Sequence, residues 1–160
     1  MLITKEIHIH MGHRVPFHKS RCRNIHGHTY VIEVGVDDKV IETKGSSDEG
    51  MVIDFSDLKD IMMDEIDTVF DHSFTMTEDD EFYPVFKELK KKGQKINFVK
   101  FVPTAENLAG YWYRLIESKL QERGISIKYV KVWETPTSTA VYTVEDHKKY
   151  VPKGQKRLEF

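Results

Sequence analysis

The tripeptide His26-Gly27-His28 runs straight into the apolar stretch Thr29-Tyr30-Val31-Ile32-Glu33-Val34, and this junction constrains the fold more than any other feature of the chain. Side chains alternate between faces along a strand, so residues 26 and 28 point the same way. Two imidazoles side by side need one more ligand to hold a borderline divalent metal. His13 ends another alternating stretch, in which Ile3, Ile7 and Ile9 interleave loosely with polar residues. An antiparallel neighbour could return it to the same spot. Three histidines with one open position form the ligand set of a catalytic zinc rather than a structural one. Histidines scattered over an ordinary surface are the bland alternative, and no Cys-x2-Cys pattern backs the metal reading.

The remaining elements follow from periodicity and capping. Residues 2–10 and 29–36 read as strands, expected to pair antiparallel, and Met51–Phe55 as a short third strand. Gly45–Gly50 reads as a turn. Ser56 is the expected N-cap of a first long helix, whose stripe is Leu58, Ile61, Met62, Ile66, Val69 and Phe70. Thr104, after Pro103, is the expected cap of a second, with Leu108, Trp112, Leu115, Ile116 and Leu120 inward and Gly124 at its end. Residues 125–133 and 139–145 read as two closing strands. Between the helices, a short helix is expected around Pro84–Lys91, and Thr77–Glu81 reads as a solvated acidic turn. The tail 147–160 is expected to be peripheral or to close an interface.

This order predicts an α+β fold: a four-stranded antiparallel sheet with two long helices packed on one face. Its edges would be open, and open edges invite pairing with another copy. With 160 residues, one domain over 1–160 is expected, with a longer connecting segment at about 73–102. A net charge of -2 argues against a nucleic-acid surface. The single cysteine forbids an intrachain disulfide and suits a reducing compartment. Met1–Ile7 has neither a basic start nor a long apolar run, so no signal peptide, no membrane segment and a cytoplasmic location are expected.

Several residues carry candidate chemistry. Cys22 lies among Lys19, Arg21 and Arg23, which would favour its thiolate. Such a thiolate could be a nucleophile, a base or a fourth metal ligand; an inert buried cysteine is the alternative. In Asp71-His72, a carboxylate beside an imidazole can fix its tautomer and raise its basicity. Glu134 ends the strand Ile127–Trp133 and could accept two hydrogen bonds from a guanidine-like ring edge. Glu106, two residues past Thr104, is also explained by helix-terminal electrostatics.

Taken together, several blocks resemble the 6-pyruvoyl-tetrahydropterin synthase / 6-carboxy-tetrahydropterin synthase family. They are His13-Arg14-Val15, Cys22-Arg23-Asn24-Ile25-His26-Gly27-His28, Met51–Lys59, Asp71-His72, Pro103–Ala109 and Val132–Ser138. The resemblance implies the tunnelling fold, built as a homohexamer of two stacked trimers with active sites between subunits. It implies Zn2+ on His13, His26 and His28, with Cys22 as the proton-abstracting thiolate. Asp71 and His72 would complete a catalytic relay, with the subunit interface as one route for supplying them. Glu134 would anchor the pterin, and Thr104, Ala105 and Glu106 would line the same end. The implied substrate is 7,8-dihydroneopterin triphosphate. Charge alone makes Lys19, Arg21 and Arg23 candidates for its phosphates.

The compact Cys22-x3-His26 spacing and Trp133–Ser138 look like the carboxy branch, which feeds queuosine and other 7-deazaguanines. That branch makes 6-carboxy-5,6,7,8-tetrahydropterin, acetaldehyde and triphosphate. The pyruvoyl branch, which eliminates triphosphate, uses much the same residues. A non-catalytic, zinc-stabilised pterin-binding protein is the third reading. The segment after Asp71-His72 exceeds the family's usual short turn and is expected to reshape the pocket mouth.

Overall fold

The computed structural model describes residues 1–150. Strands β1 (Leu2–His13) and β2 (His26–Asp37) pair antiparallel along their whole length, from Leu2 opposite Asp37 to His13 opposite His26. Alternation turns Ile7, Ile9, Met11 and His13 of β1 to one face, with Tyr30, Ile32, Val34 and Val36 of β2, and all eight are buried. β5 (Ile127–Thr135) joins the free side of β2, and β6 (Ser138–Thr143) joins β5, both antiparallel.

Two helical elements cover the apolar face. The first is a continuous rod of α1 (Phe55–Met62), a π-helical turn (Met63–Asp67) and α2 (Thr68–Phe70). The second, α4 (Ala105–Gln121), is capped by Thr104, whose Oγ1 accepts from the Asn107 amide. Leu58, Ile61, Met62, Ile66 and Phe70 meet Leu108, Trp112, Ile116 and Leu120 in one core with the strand residues. The π turn holds one residue more than an α turn and so shifts the phase of the stripe. Val69, expected inside, is therefore turned outward and is 40% exposed.

The sheet is larger than the expected four antiparallel strands. Among the described residues it has six in the order β4-β3-β1-β2-β5-β6 and is mixed. β3 (Ser73–Thr77) lies parallel to β1, against Met11–His13, and β4 (Ile96–Val99) lies parallel to β3. Helix α3 (Tyr83–Lys91) connects them, the crossover that parallel neighbours require. Met76, Phe86 and Ile96 form a second small core, supported by Phe74 stacked on Phe86 at 4.7 Å. The 73–102 segment is thus a β-α-β extension of the sheet.

Other expectations need correction. Met51–Phe55 is not a strand: Asp54 Oδ1 accepts from the Ser56 amide at 2.7 Å, so Asp54, rather than Ser56, starts the helix. The acidic run is not a solvated turn throughout. Asp80 is buried and pairs with buried Arg14, Nε to Oδ2 at 3.2 Å, while Arg14 Nη2 reaches the exposed Glu81 at 3.1 Å. The tail begins with α5 (Val144–Tyr150); the expectation for 151–160 lies outside the described residues. No helix among the described residues is long and apolar enough to cross a membrane. β3 pairs with β1 only at Met11–His13, so the edge of β1 before that point has no partner among the described residues, and neither has the outer edge of β6.

Candidate metal centre and catalytic pocket

Strand parity and register assemble the three histidines. His26 and His28 share the helix-covered face of β2, and His13 stands opposite His26. Their ring centroids are 4.5 Å (His13–His26), 5.2 Å (His13–His28) and 5.0 Å (His26–His28) apart, and one nitrogen from each lies within 4.8 Å of the others. Gly27 lets the two strands close. A Cβ there would lie 2.9 Å from the Met11 carbonyl oxygen and 3.2 Å from Gly12 Cα.

Backbone carbonyls orient two of the rings. His13 Nδ1 donates to Pro103 O at 2.7 Å, and His26 Nδ1 donates to Asn24 O at 2.8 Å. A carbonyl only accepts, so each proton sits on Nδ1 and each Nε2 keeps its lone pair. His13 Nε2 is buried without a hydrogen-bond partner. Burial, with the neighbouring imidazoles His26 and His28, pushes the His13 pKa down to about 4, against the hydrogen bond to Pro103. Burial also lowers His28, opposed by the Glu134 carboxylate. Neutral imidazoles converging on a buried orphan nitrogen fit a divalent cation, and the donor set suits zinc.

A cavity of about 230 Å³ opens beside this cluster. Its wall gathers His13, Cys22, Thr104, Ala105, Glu106 and Glu134, which are scattered along the sequence. Cys22 arrives on a single 3-10 turn (Arg21–Arg23), and the loop folds back through Val15 N–H donating to Cys22 O at 2.8 Å. Cys22 is a half-buried free thiol. The N-terminus of α4 brings Thr104, Ala105 and Glu106, and the end of β5 brings Glu134. Glu134 Oε1 lies 3.6 Å from His13 Nε2, too far for a hydrogen bond. The cavity also takes in His18, Ser138 and Thr139, which sequence reasoning did not single out.

Asp71 and His72 do not line this cavity. They sit beside His10, whose side chain has the opposite strand parity to His13. Asp71 Oδ1 accepts from the His10 amide at 2.8 Å, and Oδ2 accepts from His72 Nδ1 at 2.5 Å. Burial works against the Asp71 carboxylate, but the hydrogen bonds from His10 and His72 hold its pKa below the usual value. His72 has φ of 52°, a left-handed conformation, and its side chain is 77% exposed. Lys19, Arg21 and Arg23 are exposed and do not form the cavity wall.

Comparison with known proteins identifies the family. The 6-carboxy-5,6,7,8-tetrahydropterin synthase of Aquifex aeolicus is 39% identical over 132 residues, covering 79% of this chain and 78% of that protein. The enzyme of the same name from Haemophilus influenzae is 35% identical over 141 residues, covering 88% and 96%. Among solved structures, an uncharacterized protein from Wolinella succinogenes superposes with a TM-score of 0.75 at 26% identity, covering 90% of this chain and 98% of that one. The sequence profile described as 6-pyruvoyl tetrahydropterin synthase matches residues 2–145, so the chain belongs to that family.

Proposed function

We propose that this chain is a zinc-dependent carbon–carbon lyase of the carboxy branch. It converts 7,8-dihydroneopterin triphosphate and water to 6-carboxy-5,6,7,8-tetrahydropterin, acetaldehyde and triphosphate. The observation that carries this reading is the shared cavity. One 230 Å³ space is bordered by His13, by the free thiol Cys22 and by the carboxylate Glu134. The names of relatives 35–39% identical over most of the chain support the branch.

His13, His26 and His28 would hold the zinc, which would supply a Lewis acid for the oxygens of the substrate side chain. Cys22, which borders the same cavity as Glu134, removes the proton from the carbon bearing a side-chain hydroxyl. Proton transfer by a placed group contributes roughly 100- to 10,000-fold in rate. Glu134 accepts the 2-amino and ring N–H donors of the pterin, with Thr104, Ala105 and Glu106 closing that end. Asp71 and His72 act in the pocket of a neighbouring subunit, because they do not line the cavity of their own protomer. The unpartnered edges of β1 and β6 support such an assembly, a homohexamer of two trimers. On this reading the chain acts in the cytoplasm, early on the route to queuosine.

The test is to incubate zinc-loaded protein with dihydroneopterin triphosphate and assay acetaldehyde and the pterin product. Acetaldehyde with a 6-carboxy pterin is expected. A pyruvoyl pterin without acetaldehyde would select the other branch, and no consumption of substrate would leave a pterin-binding protein.

A further inference from the structure

We infer that Tyr30 is a positioning residue for Glu134: its phenol O–H donates to one carboxylate oxygen and turns the other toward the ring edge of the pterin. This inference rests on the pterin reading of the cavity and deepens it.

Tyr30 is fully buried on the same face of β2 as His26 and His28. Its ring stands edge-on to His13 at 5.9 Å, His28 at 5.7 Å and Trp112 at 6.3 Å, beneath the histidine cluster. Packing there needs only a phenylalanine. The hydroxyl is sealed from solvent with no well-formed hydrogen bond. An unsatisfied buried hydroxyl costs about 1–3 kcal/mol, so its presence calls for a use.

Strand register supplies the partner. β2 and β5 pair Ile32 with Val132 and Val31 with Trp133. Glu134 follows Trp133 at the end of β5, on the face that Tyr30 shares with Val132, and its carboxylate lies close enough to act on the Tyr30 phenol. His13 Nε2 also lies near the carboxylate, at 3.6 Å. It has no proton to give, because His13 donates through Nδ1 to Pro103. The phenol does have one. A phenol is protonated at neutral pH and so can donate. A carboxylate held at one oxygen presents the other in a fixed direction. That preorganisation is what a bidentate grip on two ring N–H donors needs.

A double-mutant cycle on zinc-loaded protein separates this role from simple packing. Wild type, Tyr30→Phe, Glu134→Gln and the double variant are titrated with neopterin and with its 2-oxo analogue, which lacks the 2-amino group. The Tyr30→Phe variant is expected to retain its zinc and its melting temperature, bind neopterin about tenfold more weakly, and discriminate less between the two ligands. In turnover, its KM rises more than its kcat falls. The double variant binds no more weakly than Glu134→Gln alone. Repeating the cycle on Glu134→Asp, which withdraws the carboxylate by one methylene, should again leave Tyr30→Phe without further effect. Additive losses, unchanged neopterin affinity or loss of zinc in Tyr30→Phe would overturn the inference while the pterin reading stands. Failure of the wild type to bind either ligand would overturn both.

Discussion

Asp80→Asn should destabilise the protein by about 3 kcal/mol and loosen the metal site with it. The Arg14–Asp80 pair ties the β3-α3-β4 extension to the end of β1, one residue beyond His13. Both side chains are buried, at 3% and 0% exposure, whereas Glu81, the other carboxylate on Arg14, is 70% exposed. Removing one partner of a buried pair typically costs about 3–5 kcal/mol, because the remaining charge is left uncompensated. The lower end applies here for two reasons. The Nε–Oδ2 approach of 3.2 Å lacks hydrogen-bond geometry, and Arg14 keeps Glu81 and the ring of Phe82, 4.2 Å from its guanidinium carbon. Asparagine has the same shape and keeps the Oδ1 that accepts from the Phe82 amide at 2.8 Å, so the change isolates the charge. For a chain of this size, about 3 kcal/mol corresponds to a fall in Tm of roughly 6–12 °C. Thermal melts at one fixed protein concentration measure it, alongside zinc affinity by chelator competition. Glu81→Gln serves as the control and should shift stability by under about 1 kcal/mol. A loss for Asp80→Asn no larger than for Glu81→Gln would refute the reasoning, since the burial of the pair would then carry no energetic weight. The double change Arg14→Met with Asp80→Leu should recover much of the loss.

Other expectations test the site itself. Gly27→Ala must force β1 and β2 apart at the histidine pairs, because its Cβ meets backbone at 2.9 Å; zinc affinity should fall by at least about tenfold by chelator competition. Cys22→Ala should lower turnover by about 100-fold or more while zinc content, measured by atomic absorption, is retained. The metal-stripped protein should lose stability on acidification. The unfolded chain takes up a proton on His13 near pH 6.5, and the folded chain resists it until about pH 4. The contribution of His13 is therefore complete above pH 6.5 and disappears as pH falls to about 4, a loss of about 3 kcal/mol. Urea titrations of chelator-treated protein across that window check the sign, and His13→Gln should flatten the profile.

Short-range rules made much of the site legible in the chain. Parity alone puts His26 and His28 on one face, and the alternating stretch ending at His13 makes it the natural third ligand. The Thr104 cap and the stripe from Leu108 to Leu120 locate the helix whose first turn borders the cavity. Those features depend on neighbours within a few residues, where backbone geometry leaves few options. The first-helix boundary was harder to read, because the Asp54 side chain competes with the backbone for the Ser56 amide. The π turn was also hidden, since Val69 fits an unbroken stripe as well as Phe70 does.

Tertiary structure decided the rest. Parallel pairing of β3 with β1 depends on a crossover helix and on contacts more than 60 residues apart in sequence, and five residues of mixed polarity in β3 do not announce it. Asp80 reads as one acid among several until Arg14 is found buried against it. Asp71-His72 reads as a relay partner of Cys22 from the same subunit or across an interface, and within the protomer it lies beside His10, away from the cavity wall. Tyr30 reads as one more apolar strand residue until its buried hydroxyl is found near Glu134. Local pattern determines which face of an element a side chain occupies. Which distant side chain it meets there follows from register and packing, and those are set by burial across the whole chain.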